Sequence, residues 1–398
     1  MNDTFRLLAL SVYLPTLVLS LCNGILLPVL PVFASTFDIP YGIVGLILAG
    51  ERIGTLLADV PAGRLLRRFG RKWLMIGGIV LAGASVLLLV WSTTVWQVLA
   101  LRLLAGVGDA CWNLSRHAYL TEATGVGERG RVLALFGGVT RLGLFVGPAL
   151  GGVLAAAFGF EGAFVAFAAL SLLSAVLVLA FIERRYVAAV PRAGDDRQRL
   201  RTVLREHSQV LMTAGVGQLL AQMIRGSRRV IVPLYAADVL GLDLSVIGLI
   251  MSGVALVDLS MFYPAGVLMD RFGRKFAIVP CFAIQALGMA LLPLAGSGVM
   301  LLVFAALIGF GNGLGAGTML TLGADLAPKH AIGEFLGLWR LIGDAGRLTA
   351  PLAVGGVADV VDLQSGAIVM ALAGFAAAGI FAFGMRETLA RRPSQGGG

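Results

Sequence analysis

The sequence is short of charge. Only 13% of its 398 residues are Asp, Glu, Lys or Arg, where soluble domains carry about 25%. With 58% hydrophobic residues and a mean hydropathy of +0.91, the chain has too few charges to cover a water-facing surface. That excludes a soluble globular enzyme, and so much apolar content excludes disorder. Cysteine and histidine are scarce, with three of each. Cys22, Cys111 and Cys281 stand singly inside apolar runs, without CxxC spacing or a nearby histidine cluster, so neither a metal site nor a disulfide framework is expected. HExxH, GxSxG and phosphate-loop strings are missing. A G-x-G-x-x-A string, Gly311 to Ala316, lies in an apolar run with no strand before it, which argues against dinucleotide binding. No cofactor is expected, and the chain reads as a non-enzyme.

What is present is apolar sequence in long runs. About 20 apolar residues cross a bilayer as a helix. Leu7 to Phe37, Trp73 to Leu101, Gly162 to Ile182, Phe276 to Ala324 and Leu363 to Met385 carry no charge. The first is too long for a signal peptide, and Phe276 to Ala324 accommodates two spans around Gly296–Gly298. Between these lie runs with isolated charges: Tyr41–Leu66, Val95–Leu120, Arg131–Phe158, Ser208–Tyr235, Leu244–Met269 and Phe335–Val357. Together they predict twelve transmembrane helices. The net charge of +9 therefore reports topology rather than nucleic-acid binding. Connections after the even spans up to span 10 hold Arg67 to Lys72, Arg129 and Arg131, the Glu183–His207 segment, Arg271 to Lys275, and Lys329. The alternate connections, such as Ser35–Gly42 and Ala236–Leu244, hold no Lys or Arg. By the positive-inside rule both termini are expected in the cytoplasm, in a prokaryotic plasma membrane. The expected organisation is a six-helix bundle over 1–182, a cytoplasmic linker over 183–207, a second six-helix bundle over 208–390, and a disordered tail over 391–398.

The halves repeat. Pro61 to Lys72 and Pro264 to Lys275 are identical at nine of twelve positions, at an offset of 203 residues. The same offset pairs Gly106 with Gly309, Gly108 with Gly311, Asp109 with Asn312, Gly143 with Gly346, and Pro148 with Pro351. One register over three separate spans implies two similar bundles with a path between them.

With these motifs the chain resembles the major facilitator superfamily over nearly its whole length. Gly266, Leu268, Asp270, Arg271, Gly273, Arg274 and Lys275 match the family's loop signature. The first copy, with Gly63, Arg67, Arg68, Gly70 and Arg71, departs from it, because Arg67 stands where the family has Asp. Arg102 and Gly106 look like the family's R-x-x-x-G in span 4. Gly143, Gly147, Pro148, Gly151 and Gly152 in span 5 are similar to the antiporter motif of the drug:proton antiporter branch, and Pro28-Val29-Leu30-Pro31 ends span 1 as in that branch. The resemblance implies an all-α membrane protein of two pseudo-symmetric six-helix bundles. It implies that the Asp270 network closes the cytoplasmic side, and that an altered first-half latch would need another acceptor, such as Asp59. Basic residues that only hold topology are the plainer reading of both loops, and close helix packing explains the span-5 glycines about as well.

The spans hold many charges, each costing roughly 2.5–3.5 kcal/mol at a helix centre, so they are expected to pair or to face a wet cavity. Arg102, Asp109, Asn113 and Arg116 share one face of span 4; Gln218, Gln222, Arg225 and Arg229 one face of span 7; Arg340, Asp344 and Arg347 one face of span 11. Glu51, Arg52 and Asp59 lie in span 2, Arg141 in span 5 and Asp258 in span 8; Arg116 and Asp59 are expected near span ends. Proton-coupling candidates are Asp109, Glu51, Arg102, Asp344 and Asp258, with Asp109 and Glu51 favoured. The antiporter branch often has an acid in span 1, and here Asn23 is the only strongly polar candidate. Cavity candidates are Asn23, Arg52, Asn113, Arg141, Gln218, Gln222, Arg225, Asn312 and Arg340. The leading expectation is a secondary exporter of small amphiphiles coupled to protons, monomeric and surrounded by lipid. The alternatives are a carrier of organic anions, sugars or lipid-like amphiphiles by symport or uniport, and a transport-dead receptor or scaffold.

Overall fold

The computed structural model describes residues 9–123, 129–182, 205, 208–328, 331–385 and 387–388. Among them the regular structure is entirely helical. Eight helices are long and apolar enough to cross a bilayer. Two of these, Tyr41–Trp91 and Leu135–Phe181, have 51 and 47 residues, enough to cross twice. Span 1 is Leu14–Ser35. Tyr41–Leu87 holds spans 2 and 3, broken at Gly70; Val95–Ala123 is span 4. Arg129–Phe181 holds spans 5 and 6, broken at Gly159. Span 7 is Ser208–Leu234 and span 11 Ile332–Val360, both too polar to stand among those eight yet helical throughout. Span 8 runs through Leu244–Ser260 and Phe262–Phe272, span 9 is Arg274–Leu291, and span 10 runs through Gly298–Leu314 and Thr318–Leu326. Leu363–Phe383 is span 12. The expected linker, apart from Arg205, and the expected tail lie outside the described residues.

The spans form two bundles. In the first, span 1 packs on span 5 and span 4 on spans 2 and 3. In the second, span 7 packs on spans 11 and 12, span 8 on span 10, and span 9 on spans 10 and 12. Between bundles, span 2 meets span 11 and span 5 meets span 8. Large apolar side chains on the outer faces, such as Leu172, Val176, Leu249 and Leu372, are exposed. That is the inverse of a soluble surface and fits a lipid belt.

The 203-residue repeat is a structural repeat. Gly70 and Gly273 occupy equivalent loops at φ 77° and 113°, a left-handed conformation that a side chain strains to adopt. Lys72 Nζ donates to the Leu179 carbonyl at 2.7 Å, and Lys275 Nζ to the Ala382 carbonyl at 2.7 Å; both partners are shifted by the same offset. The inter-bundle contacts obey it too. A Cβ on Gly45 would strike the Pro351 carbonyl, and one on Gly248 the Pro148 carbonyl. A Cβ on Gly355 would strike the Tyr41 carbonyl, and one on Gly152 the Leu244 carbonyl. These four glycines let backbones approach closely on the side without basic loops. There Tyr41 Oη donates to Asp238 at 3.0 Å and the Gly42 amide to Asp359 at 2.8 Å, tying the bundles together. On the basic-loop side, Gly63, Gly137, Gly138, Gly333 and Gly337 would meet nothing within 4 Å. Among the described residues, the close backbone crossings between the bundles gather on the neutral side.

Candidate functional site

A cavity of about 350 Å³ lies between the bundles, lined by residues of spans 1, 5, 7, 8 and 10, and is within the range of small-molecule sites. Leu27, Leu144, Val232, Met251 and Ile308 supply apolar wall; Arg141, Arg228, Arg229, Asp258 and Asn312 supply the polar groups. Asp258 is the centre of the polar end. It accepts from Arg141 at 2.8 Å across the bundle interface, from Arg228 at 3.2 Å on span 7, and from Asn312 Nδ2 at 2.7 Å on span 10. The Arg141 guanidinium also sits 4.8 Å from the Phe262 ring centre, a second contact across the interface. A carboxylate with three donors is well satisfied, which is what allows it to remain at this depth.

Span 5 is placed by its proline. Pro148 disrupts the turn before it, and Ser252 of span 8 fills the break. Ala149 N–H donates to Ser252 Oγ at 2.9 Å, and that hydroxyl donates to the Phe145 carbonyl at 2.7 Å. A side chain from the other bundle thus completes the span-5 backbone beside the Gly152–Gly248 crossing, a known way for a helix to hold a kink.

A second charged cluster joins spans 2, 4 and 11. Glu51 forms an ion pair with the buried Arg102, and Thr55 Oγ1 ties the Glu51 carbonyl to the Gly106 carbonyl at 2.9 and 3.1 Å. Asp344 lies 3.6 Å from both Arg340 and Arg347. Arg347 Nε donates to Gln222 at 3.0 Å. Arg52 is exposed toward this cluster and interacts electrostatically with Glu51, Asp109 and Asp344.

Several expected site residues take other places. Arg102 shares a helix face with Asp109 but pairs with Glu51. Asp109 has Asn113 as its hydrogen-bond neighbour. Arg116, expected near a hydrated span end, is buried; it bonds Asn113 at 2.6 Å and lies over the Trp112 and Phe136 rings at 5.3 and 4.5 Å. Asp59 is exposed, as expected. Gln218 and Gln222 are buried between spans 7 and 11. Arg225 points into its own bundle, donating to the Gly315 carbonyl at 2.9 Å and stacking on Phe282 at 5.0 Å. Asn23 is exposed one turn before the cavity residue Leu27. Arg228 was not anticipated, although it stands three residues after Arg225 and so near its face. Ser252 left no sequence signal.

The loop signatures act within their own bundles. Arg274 meets Asp270 at 3.3 Å and Asp325 at 3.1 Å. Glu387, after span 12, accepts from the Arg274 and Lys275 amides at 2.8 and 3.0 Å, where the start of a helix favours an anion. In the first half, Arg71 lies over the Tyr119 ring at 5.6 Å. Arg67 and Asp59 form no contact with each other; Asp59 interacts with Arg340 of span 11.

The family model described as the Major Facilitator Superfamily matches residues 12–215 and 214–398. An uncharacterized MFS-type transporter of Methanocaldococcus jannaschii is 22% identical over 368 residues, covering 89% of this chain and 92% of its own. The class C tetracycline resistance protein of Escherichia coli is 27% identical over 365 residues, covering 87% and 88%. Among solved structures, a bacterial homolog of the human lysosomal transporter Spinster, inward-facing and unoccupied, superposes with a TM-score of 0.76 at 14% identity, covering 96% of this chain and 97% of that one.

Proposed function

This chain belongs to the major facilitator superfamily, and from that premise we propose that it is a proton-coupled exporter of small amphiphilic, drug-like molecules. It is a multi-pass membrane transporter and not an enzyme. The observation that carries the finer reading is the ion pair between Arg141 and Asp258. Among the described residues, Asp258 is the carboxylate within the spans whose ion pairs reach both bundles. A proton on Asp258 removes the charge that holds Arg141, so protonation and separation of the bundles are linked. Of the five coupling candidates, Asp258 is therefore preferred over Asp109, Glu51, Arg102 and Asp344, which lie in the second cluster.

The excess of Lys and Arg in alternate loops supports cytoplasmic termini in a prokaryotic plasma membrane. The cavity then opens to the cytoplasm, ready to load. The bundles correspond to 1–182 and 208–390, with the basic segment 183–207 as a cytoplasmic link. The carrier works as a monomer in lipid. The resemblance to a tetracycline resistance protein and the span-5 glycine-proline motif support export over import.

The test is flux in proteoliposomes under an imposed pH gradient, with a panel of fluorescent amphiphiles. An antiporter accumulates substrate when the lumen is acid; a proton symporter does the reverse. Asp258→Asn should abolish gradient-driven flux more completely than Asp109→Asn or Glu51→Gln. Wild-type flux that ignores the gradient, or Asp258→Asn flux equal to wild type, sinks the reading.

A further inference from the structure

The charge of the cavity does not balance. Its wall presents three guanidiniums and a single carboxylate. Arg141 and Arg228 both lie on Asp258, so one negative charge is shared by two positive ones. Arg228 donates to it through Nη2, and its Nη1 is buried with no acceptor. Arg229 is open to the cavity and forms no ion pair among the described residues. Its electrostatic neighbours are Arg228, Arg52, Arg347, Asp258 and Glu51, three like charges and two carboxylates that already hold other arginines. A guanidinium does not shed its proton in a protein, so the excess charge persists. In a site walled by hydrocarbon it is costly until an anion meets it. Beyond this end the wall is apolar, with Leu144, Met251 and Ile308.

We infer that the substrate is an amphiphilic organic anion, its carboxylate, sulfonate or phosphate seated on Arg228 and Arg229 and its apolar body against Leu144, Met251 and Ile308. The inference rests on the reading of this cavity as the substrate site. The planar fork of Arg matches an oxyanion, and the orphaned Nη1 of Arg228 gains the acceptor it lacks. A cation would have to displace Arg141 or Arg228 from Asp258 against the surplus positive charge.

The test uses full-length protein in phosphatidylcholine nanodiscs and two fluorescent probes with one aromatic body, anilinonaphthalene sulfonate and the uncharged N-phenylnaphthylamine. Wild type should bind the sulfonate at least about tenfold tighter. Arg229→Gln should cut that preference by about tenfold, and Arg229→Lys should recover part of it, since the charge returns without the fork. Arg229 forms no ion pair among the described residues, so its replacement threatens folding less than Arg228→Gln does. Equal or tighter binding of the uncharged probe, or a preference unchanged in Arg229→Gln, overturns the inference. Added phosphatidylglycerol separates two sources of the headgroup. Displacement of the sulfonate from wild type but not from Arg229→Gln assigns the site to an anionic lipid, and its absence to a free organic acid; either upholds the oxyanion. Flux separates this inference from export itself. Gradient-driven movement of the uncharged probe with none of the sulfonate defeats the anion and spares the exporter. Sulfonate preference with no flux of either probe defeats the exporter and spares the anion site.

Discussion

Arg141 of span 5 and Asp258 of span 8 meet at 2.8 Å between the two bundles, at the polar end of the cavity. Each comes from a different half of the repeat. The positions equivalent to them at the 203-residue offset are Asp344 and Thr55, so the pair has no copy in the other half. The fold is twofold, and its electrostatic centre is not.

This pair should behave as a unit. Its side chains are 24% and 11% exposed, so the cost of breaking it falls below the 3–5 kcal/mol of a fully buried pair, at about 2 kcal/mol. Arg141→Ala and Asp258→Asn should each lower thermal stability, and the double variant should lose less than the two added together. Additive losses in a double-mutant cycle would show that the two groups are not coupled.

Closure of the neutral side depends on glycine contacts. Gly248→Ala places a methyl on the Pro148 carbonyl, with the Gly152 backbone 3.0 Å away, and should prop that side open. Cysteines introduced at Tyr41 and Asp238, whose side chains are now hydrogen-bonded at 3.0 Å, should be joined by a thiol-specific linker about as long as a tyrosine side chain in the parent, and several-fold less in Gly248→Ala. Gly63→Ala, facing open space on the basic side, serves as control. Undiminished cross-linking in Gly248→Ala would contradict the role given to this crossing.

Ser252→Ala removes the hydroxyl that completes the span-5 backbone at Pro148. The cost should be about 1–2 kcal/mol, read as a fall in melting temperature and faster amide exchange at Ala149. Ser252→Thr keeps the hydroxyl and should recover most of it. A Ser252→Ala protein as stable as wild type would mean that span 5 mends its own turn.

Asp362 caps span 12 in water, accepting from the Ser365 amide at 2.6 Å. That hydrogen bond holds its carboxyl below the usual aspartate value. A depressed folded value means that the cap contributes above the unfolded pKa of about 3.9 and is lost as pH falls through the lower folded one. Wild type should therefore outlast Asp362→Ala in thermal melts from neutral pH down to about pH 4, and the difference should close below that. A difference that grows with acidity would reverse the sign of the argument.

Much of this was legible along the chain. The charge-free runs mark spans because hydrocarbon tolerates little else, and spans 7 and 11 remain recognisable as helices whose charges share a face. Asn312 is a cavity candidate and Asp258 a coupling candidate from the sequence, and the two stand together on the cavity wall. The partners were harder. Spacing places Arg102 and Asp109 on one face, seven residues apart, yet the neighbouring span 2 brings Glu51 to Arg102 first. Gln218, Gln222 and Arg225 share a stripe with Arg229, but the rotation of span 7 turns the first three against span 11 and into their own bundle. Arg229 alone of that stripe reaches the cavity wall.

By itself the sequence determined the number of spans, the alternation of loop charge and the repeat. Each is set by a local requirement, the cost of charge in hydrocarbon or the backbone freedom that a tight crossing demands. Only the tertiary structure decided which guanidinium meets which carboxylate, and that Arg229 forms no ion pair among the described residues. Periodicity gives the face of a helix but not its rotation against its neighbours, and a long arginine side chain reaches whichever neighbour packing brings near.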